Sequence, residues 1–288
     1  MRTALIFGAS GQIGRPLLPR LLAAGWQVVA VSRHAHTDRD GLRWLRGDLS
    51  NVEALPAQCD LIVSCGPLDH FSDWYARSVL VCPRVIAFGS TSVAIKHDST
   101  EASERDVAKR LGEAEDLLLE VANARTTCTT ILRPTLIYGG AGDRTLTRIA
   151  SIAGRWRHFA LPTNAIGIRQ PVHVDDLAKA AFDAIDAVAT CGQVYALPGG
   201  ERLSYRAMVE RVLSTQTPQA KLHLLPPTLF AGLLACARVV GVAQGFGDGA
   251  LSRMRDDLEF DDSAARRDFG YAPRSFQPTA AMFRQWVN

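Results

Sequence analysis

The stretch GASGQIG, residues 8 to 14, constrains this chain more than any other feature of its sequence. It follows the apolar run TALIF, which predicts a buried strand, and precedes RPLLPRLLAAG, whose leucines recur at helical spacing. Three glycines between a strand and a helix allow a tight turn, a close approach of a ligand to the backbone, and tight packing of the helix on the strand. The pattern predicts a loop that holds the phosphates of a dinucleotide at the start of a helix.

Strands and helices alternate through the first half of the sequence. After the strand at 3–8 and the helix at 15–25, the pattern predicts further strands at 26–32, 42–49, 60–66, 84–90 and 126–134, with a long amphipathic helix at 101–124. Strands that alternate with helices form a parallel sheet covered on both faces. The predicted fold class is therefore α/β, with a doubly wound parallel sheet.

The second half of the chain has a looser rhythm. Residues 172–188 predict a strand end, an aspartate cap and a helix, followed by a strand at 193–200 and a helix at 203–213. We predict a dinucleotide-binding domain at 1–140 and a smaller, partly interleaved substrate region at 141–288. Some segments of that second region are expected to return to the core of the first domain.

Composition excludes several classes of function. The formal net charge of +3 on 288 residues is too small to indicate nucleic-acid binding. Six cysteines without a C-x-x-C motif predict buried thiols in a reducing compartment, hence a cytoplasmic protein rather than a disulfide framework or a zinc site. Because a functional-looking loop begins at residue 8, we expect no signal peptide.

One segment resembles a membrane-spanning sequence in its apolar content. Residues 228–247 are mostly apolar, but Arg238 and several glycines interrupt them. We therefore expect no membrane span here, and interpret the segment as a buried or lid-like helix. The alternative is a surface that meets a membrane or a partner.

The end of the second predicted strand indicates which dinucleotide is bound. A site for NAD usually has a carboxylate there, which binds the adenosine ribose. This chain has Ser32 and Arg33 instead, and its first acid is the late Asp38. A guanidinium suits a ribose 2′-phosphate, so NADP is favoured over NAD unless Arg33 is a solvated surface residue. The neighbouring pair His34 and His36 lacks a third ligand, so no metal site is predicted.

These motifs together resemble the extended short-chain dehydrogenase/reductases, the NAD(P)-dependent epimerase/dehydratase family. GASGQIG is similar to the family's glycine pattern, GDLSN (47–51) to its adenine-contacting motif, ILRPTLIYGG (131–140) to the segment near the nicotinamide, and IRQPVHVDDLAKA (168–180) to a C-terminal signature. The resemblance covers most of the chain. It implies a Rossmann-type sheet, a bound NAD(P) and a substrate cleft between two domains. The predicted cofactor contacts are Gly8, Ser10, Gly11, Gln12, Ile13, Gly14, Ser32, Arg33, Asp48, Leu49, Cys65, Gly66 and Pro134.

The chain departs from the family where proton transfer takes place. The resemblance implies a Tyr-x-x-x-Lys pair, but the residues four positions before the chain's four lysines are Ser92, Arg105, Asp175 and Thr217. When the long helix is aligned with the family at its GEAE segment, Val107 falls at the tyrosine position and Leu111 at the lysine position. Neither side chain can transfer a proton, so this face of the helix is predicted to have a packing role.

Two hydroxyls remain as catalytic candidates. Ser90, in VIAFGSTSVA, corresponds to the family's catalytic serine, although a hydroxyl there also suits a turn cap after the strand. Tyr138, in LIYGG, falls near the expected nicotinamide but on a different element, where a packing role is the alternative.

A basic stretch indicates an anionic substrate. Five arginines lie between residues 144 and 172 without an aspartate or glutamate. By resemblance, Arg169 would contact the diphosphate of a nucleotide sugar, and Arg144 is a second predicted substrate contact. For Arg155 and Arg157, a solvated helix face is the alternative.

Two functions follow from the sequence. The first is an oxidoreductase, epimerase or dehydratase that acts on a nucleotide-sugar-like or carbonyl substrate. The second is a catalytically silent NADP-binding sensor or scaffold, which the missing acid/base pair favours. Either protein is compatible with a homodimer formed through the helices that flank the sheet.

Overall fold

A computed structural model describes residues 1–52, 54–140, 142–143, 145–239 and 253–283. The chain divides into two compact units. Unit 1 comprises Met1–Thr135, Val172–Pro198 and Asp261–Pro273, and unit 2 comprises Leu136–Pro171, Gly199–Phe260 and Arg274–Asn288.

The strands are short, as expected for a mixed α/β protein. In chain order they are β1 (Thr3–Phe7), β2 (Gln27–Ser32), β3 (Leu42–Arg46), β4 (Leu61–Ser64), β5 (Arg84–Phe88), β6 (Cys128–Pro134), β7 (Ile137–Tyr138), β8 (His158–Pro162), β9 (Ile168–Arg169), β10 (Val172–His173), β11 (Gln193–Leu197), β12 (Leu203–Ser204) and β13 (Lys221–Leu225).

The described helices are more varied in length than the strands. They are α1 (Gly14–Ala23), α2 (Leu68–Arg77), α3 (Ser92–Ile95), α4 (Ala102–Ala124), α5 (Leu146–Trp156), α6 (Val174–Ala184), α7 (Tyr205–Ser214), α8 (Pro227–Val239) and α9 (Ser263–Phe269). Two 3₁₀ turns cover Val188–Thr190 and Ala280–Phe283.

Unit 1 is built on a seven-stranded, fully parallel sheet with the order β11-β6-β5-β4-β1-β2-β3. Every residue of β4 and β5 is buried, including the polar Ser64 and Arg84, because helices cover both faces of the sheet. Helix α2 packs against α4, and α1 packs against α6. The predicted α/β, doubly wound, Rossmann-type fold is confirmed. Its order reverses at β1, which places a crevice at the carboxyl ends of β1, β2 and β4.

The structure corrects the prediction that all six cysteines are unpaired thiols. Cys128 opens β6 and Cys191 precedes β11, and the two form a disulfide with their Cα atoms 4.7 Å apart. Pairing of β6 with β11 brings together residues that are 63 positions apart, a contact that the spacing of cysteines along the chain does not reveal. Cys59, Cys65, Cys82 and Cys236 are free thiols.

The cap of α6 also differs from its prediction. His173, not an aspartate, is the N-cap residue, and its Nδ1 accepts a hydrogen bond of 3.2 Å from the amide of Asp175. Asp175 and Asp176 lie in the first turn instead, where a negative charge complements the helix dipole.

Unit 2 has its own apolar core. Strands β8 and β13 pair in parallel, with Lys221 opposite His158 and Leu225 opposite Pro162. One face of this pair packs with α5 and α7, and α8 packs against β8. Helix α8 covers the first part of the apolar segment predicted at 228–247, while residues 240–247 lie outside the described ranges. Within those ranges, no helix is both long and apolar enough to cross a membrane.

Candidate dinucleotide-binding site

The glycine loop between β1 and α1 is packed so closely that side chains do not fit. Gly8 has a φ of +70°, and a Cβ on it would lie 3.1 Å from the backbone carbon of Cys65. The amide of Gly11 donates a 2.9 Å hydrogen bond to the oxygen of Gly8, which closes the turn. A Cβ on Gly14 would lie 2.6 Å from the Cα of Ala9. The three glycines therefore let the helix start directly against the end of the strand.

The start of α1 carries no competing negative group. Ile13 is the N-cap residue and makes no side-chain cap, and the first turn contains no acid. The first amides of a helix, together with the positive end of its dipole, attract anions. This helix start is suited to phosphate oxygens.

A cavity of about 440 Å³ opens beside the loop in unit 1. Nine of the predicted cofactor contacts line it: Gly8, Ser10, Gly11, Ser32, Arg33, Asp48, Leu49, Cys65 and Gly66. Gln12, Ile13, Gly14 and Pro134 do not line it. The lining also includes six residues that were not predicted from the sequence: Phe7, Val31, Gly47, Ser50, Pro67 and His70. Pro67 and His70 follow β4 directly, so the reversal of strand order at β1 was the signal that could have found them.

Hydroxyl and imidazole groups converge at the end of β2. The Oγ of Ser32 lies 3.0 Å from the Oγ of Ser10 and 3.1 Å from Nε2 of His36, and it accepts a 3.2 Å hydrogen bond from the amide of His34. The ring of His36 stacks on Trp44, with centroids 4.1 Å apart. The two histidines considered for metal binding are thus parts of a local polar network.

Asp48 is the one acid among the residues that line the cavity. Its Oδ1 accepts hydrogen bonds from the amides of Ser50 (2.9 Å) and Asn51 (3.2 Å), so that oxygen organises its own turn. Gly47, just before it, has a φ of +154° and donates to the oxygen of Ser32 at 2.9 Å. The carboxylate is therefore tied to the loop after β3 rather than to the end of β2.

Cys65 lines the cavity without the properties of a nucleophile. Burial raises the pKa of its thiol to about 12, so the thiol is neutral near pH 7. The thiol therefore serves as a small apolar wall, beside Gly66.

Ser90 lies after β5, where the family resemblance implies a hydroxyl, but it is not among the residues that line the cavity. Its Oγ accepts a 3.1 Å hydrogen bond from the amide of Ser92 at the start of α3, as the alternative of a turn cap implies. This bond uses a lone pair and leaves the hydroxyl proton available for donation. Thr91 next to it donates to the oxygen of Pro134 at 3.1 Å.

Leu111 occupies the predicted lysine position on α4 and packs against the core of unit 1, where Ala114 and Leu118 are buried. Val107, at the tyrosine position, is half-buried. The side chains at the two positions that the family resemblance assigns to proton transfer are thus hydrocarbon.

The remaining predicted site residues belong to unit 2. Tyr138 is 1% exposed and packs edge-on against Phe276, with ring centroids 4.8 Å apart. Arg169 is buried and donates from Nη1 to the oxygens of Ile168 (2.6 Å) and Asp256 (2.9 Å). Burial lowers the pKa of Arg169. Arg144 lies outside the described residues.

Comparison with known proteins agrees with this geometry. Residues 4–83 match the model of the NAD dependent epimerase/dehydratase family. A 2-alkyl-3-oxoalkanoate reductase of Stenotrophomonas maltophilia (strain K279a) is 24% identical, over 94% of this chain and 94% of that protein. A UDP-glucose 4-epimerase of Vibrio cholerae is also 24% identical, over 100% of this chain and 97% of that protein.

Solved structures share the fold. The crystal structure of a UDP-glucuronic acid 4-epimerase from Bacillus cereus in complex with NAD superposes with a TM-score of 0.71 at 14% identity, and the match covers 98% of this chain and 97% of that one. The glycine loop, the uncapped helix start and the cavity at the reversal of strand order fit a dinucleotide. In sequence the chain is similar to the NAD dependent epimerase/dehydratase family, whose model matches residues 4–83.

Proposed function

We propose that this protein binds NADP in the cavity beside the glycine loop and reduces a carbonyl compound to an alcohol. The observation that carries the proposal is the end of β2, where Ser32 and Arg33 line the cavity and no carboxylate stands. The 2′-phosphate of NADP carries negative charge, which the guanidinium of Arg33 neutralises through charge-assisted hydrogen bonds. The hydroxyls of Ser10 and Ser32 add donors at the same place.

Different residues of the chain would bind the cofactor and polarise the substrate carbonyl. The amides of the glycine loop and the start of α1 hold the diphosphate, and the hydroxyl of Ser90 donates to the oxygen of the substrate carbonyl. NADPH held there would supply the hydride for the carbonyl carbon. Because Val107 and Leu111 replace the usual tyrosine and lysine, the proton that completes the alcohol comes from water. The buried packing of Tyr138 in unit 2 favours a structural role for that residue.

A ketone is preferred to a nucleotide sugar as the substrate. The reductase relative is named for a 3-oxoalkanoate and the epimerase relative for UDP-glucose, so the comparisons alone leave both classes open. Arg169, the predicted contact of a sugar nucleotide diphosphate, is buried and donates to two main-chain carbonyls. Moving it toward a ligand would break both of these charge-assisted hydrogen bonds, each of which contributes about 1.5–3 kcal/mol.

A second function is favoured by one observation. With hydrocarbon side chains at both proton-transfer positions, the protein would hold NADP without turnover, as a sensor of the NADPH pool or a scaffold. The two candidates share the cofactor site and differ only in catalysis.

The cofactor is tested by titrating the protein with NADPH and NADH and following nucleotide fluorescence. We expect NADPH to bind more tightly, and Arg33→Asp to weaken NADPH by about 10- to 100-fold while sparing NADH. Arg43→Asp, an exposed arginine on β3, is the matched control and should change neither. An NADH preference in the unmodified protein would contradict the assignment.

Turnover is tested by following nicotinamide absorbance with a panel of 3-oxo esters, simple ketones and nucleotide sugars. Oxidation of NADPH with a ketone, reduced by Ser90→Ala, supports the reductase. Tight NADPH binding without oxidation on any compound supports the binding protein instead.

A further inference from the structure

We propose that the disulfide between Cys128 and Cys191 is redox-active: a dithiol reductant attacks the sulfur of Cys191, and the sulfur of Cys128 leaves as a thiolate. The observation behind the proposal is the guanidinium of Arg84, whose Nη1 donates a 3.0 Å hydrogen bond to Sγ of Cys128. These residues lie at the amino ends of β5, β6 and β11, whereas the cofactor cavity adjoins the carboxyl ends of β1, β2 and β4. The proposal therefore does not depend on the proposed function.

Arg84 places a positive charge among uncharged partners. The side chain is buried, and burial lowers its pKa to about 10, so the guanidinium is charged at neutral pH. Besides the sulfur, its acceptors in the described part of the chain are main-chain or hydroxyl oxygens at 2.7–3.0 Å, those of Cys128, Ile185, Ala184, Thr130 and Thr190. The group is fully hydrogen-bonded, yet its charge is not neutralised by any of these contacts.

The titratable groups around Arg84 do not supply the missing negative charge. The carboxylate of Asp186 is 77% exposed and is paired with Arg2 at 3.0 Å. Burial raises the pKa of Tyr195, so its hydroxyl is neutral at pH 7. The thiol of Cys82 donates to the main-chain oxygen of Arg84 at 3.0 Å and is neutral while it does so. A thiolate in contact with the guanidinium would provide the negative charge that these groups do not.

The two sulfurs of the disulfide are therefore unequal. A cation in contact with a sulfur favours the thiolate over the thiol, and Arg84 makes this contact with Cys128. The sulfur of Cys191 accepts no hydrogen bond from the residues that the structure describes. In thiol–disulfide exchange the sulfur that forms the more stable thiolate leaves faster, so the attack falls on its partner. The geometry thus assigns Cys128 as the leaving sulfur and Cys191 as the attacked one.

The disulfide lies where a small reductant can reach it. Strand β11, which Cys191 precedes, is the edge strand of the sheet, and residues 192–193 are exposed. Cys128 and Cys191 are themselves half-buried. By contrast, Cys59 and Cys82 are only 5% and 4% exposed, although they belong to the same unit. The pair at the sheet edge is thus the more accessible one for exchange with a thiol in solution.

Reduction by a dithiol takes two steps. One thiolate of the reductant attacks Sγ of Cys191, the bond to Cys128 breaks, and its electron pair leaves on Sγ of Cys128. The second thiolate of the reductant then attacks the reductant sulfur bound to Cys191, which closes the reductant's own disulfide and releases Cys191. The protein gains two electrons and the reductant loses two. Of the two protons of the reductant, one ends on Cys191 and the other goes to water, because Cys128 stays ionised beside Arg84.

The ionisation of the two sulfurs is tested with Cys191→Ser and Cys128→Ser, which each leave one partner as a permanent thiol. Alkylation by iodoacetamide between about pH 5 and 9.5 is followed by mass spectrometry, with the exposed thiol of Cys236 as an internal reference. We expect the half-maximal rate for Cys128 at least about one pH unit below that for Cys191, because a contacting cation shifts ionisation by roughly 1–3 units. Equal values, or a lower value for Cys191, would contradict the proposal.

A further variant isolates the role of the guanidinium. Arg84→Gln, combined with Cys191→Ser, should raise the half-maximal pH of Cys128 to that of Cys191. An unchanged value in the folded variant would show that Arg84 does not favour the thiolate. Circular dichroism reports whether the variant folds, and if it does not, the two serine variants decide the question by themselves.

The site of attack is tested on the oxidised, unmodified chain with the monothiol 2-mercaptoethanol, followed by rapid quenching with iodoacetamide. We expect the early product to carry mercaptoethanol on Cys191 and the alkyl group on Cys128. The opposite distribution overturns the proposal, and so does finding all six cysteines free before any reductant is added. Neither readout involves a nicotinamide nucleotide, so a failure here leaves the cofactor assignment unaffected.

Discussion

The carboxylate of Glu115 on α4 forms a two-point ion pair with the guanidinium of Arg133 on β6. The two partners are unequally buried, because the side chain of Glu115 is 4% exposed and that of Arg133 is 28% exposed. A Cβ on Gly89, at the end of β5, would lie only 2.9 Å from Oε1 of the same carboxylate. The pair therefore joins the middle of α4 to β6, beside Gly89, the residue that precedes Ser90.

Removing either partner of this pair should destabilise the protein, but by different amounts. Arg133→Ala leaves a carboxylate buried without its cation, which costs about 3–5 kcal/mol. Glu115→Ala leaves a guanidinium that can reach water, so we expect about 1–2 kcal/mol. Urea unfolding of the two variants and of the double variant measures these costs. A larger loss for Glu115→Ala than for Arg133→Ala would contradict the stated difference in burial.

Two glycine-to-alanine substitutions have opposite expected effects, because Gly14 is tightly packed and Gly112 lies in an open part of a helix. Gly14→Ala puts a methyl group 2.6 Å from the Cα of Ala9, so the start of α1 must shift and nucleotide affinity should fall by more than about tenfold. Gly112→Ala, inside α4, meets nothing within 4 Å and should stabilise the fold by about 0.5–1 kcal/mol. Thermal unfolding and NADPH titration measure the two effects. If Gly14→Ala bound NADPH as tightly as the parent protein, the diphosphate would not bind at the glycine loop and the start of α1.

The first half of the fold could be predicted from the sequence because its signals are local. The spacing of Gly8, Gly11 and Gly14 and the apolar runs on either side specify a strand, a turn and a helix without reference to the rest of the chain. The end of β2 was informative for the same reason, since Ser32 and Arg33 are adjacent and their position after a strand is sufficient to place them.

Contacts between distant elements could not be predicted. Cys128 and Cys191 become neighbours only when β6 pairs with β11, and Glu115 meets Arg133 only when α4 covers the sheet. The two-residue strands are too short to give a periodic signal, and β8 and β13 are only partly buried, so neither stands out as an apolar run. His173 became the cap of α6 because the strand β10 ends there, whereas composition alone favoured the aspartates that follow it.

The disulfide leads to a simple prediction about thiol content. In the denatured but unreduced protein, a thiol reagent should find four free thiols, and after reduction it should find all six cysteines. Because the bond closes a long loop, reduction should lower the free energy of unfolding by about 2–4 kcal/mol. The variant Cys128→Ser with Cys191→Ser should unfold at the same urea concentration with and without reductant. If reductant still destabilises that variant, the stabilisation has another source.

Buried tyrosines predict a loss of stability in alkali. Burial raises the pKa of Tyr205 to about 12, and burial likewise raises the pKa of Tyr271, whose hydroxyl donates a 2.8 Å hydrogen bond to the oxygen of Pro198. An unfolded chain releases these protons near pH 10, while the native protein keeps them, so the unfolded state binds fewer protons between about pH 10 and 12. Stability is then complete below pH 10 and falls above it, by about 1.4 kcal/mol per pH unit for each tyrosine.

Tyr205→Phe isolates one of these contributions. The variant should match the parent protein in the pH dependence of its stability up to about pH 9, and above pH 10 its stability should fall less steeply, by the slope of one tyrosine. Urea unfolding followed by tryptophan fluorescence gives the free energy of unfolding of each protein at several pH values between 8 and 11, and hence both slopes. Identical slopes in the two proteins would mean that Tyr205 ionises in the native state as readily as in the unfolded chain, which its burial in the core of unit 2 argues against.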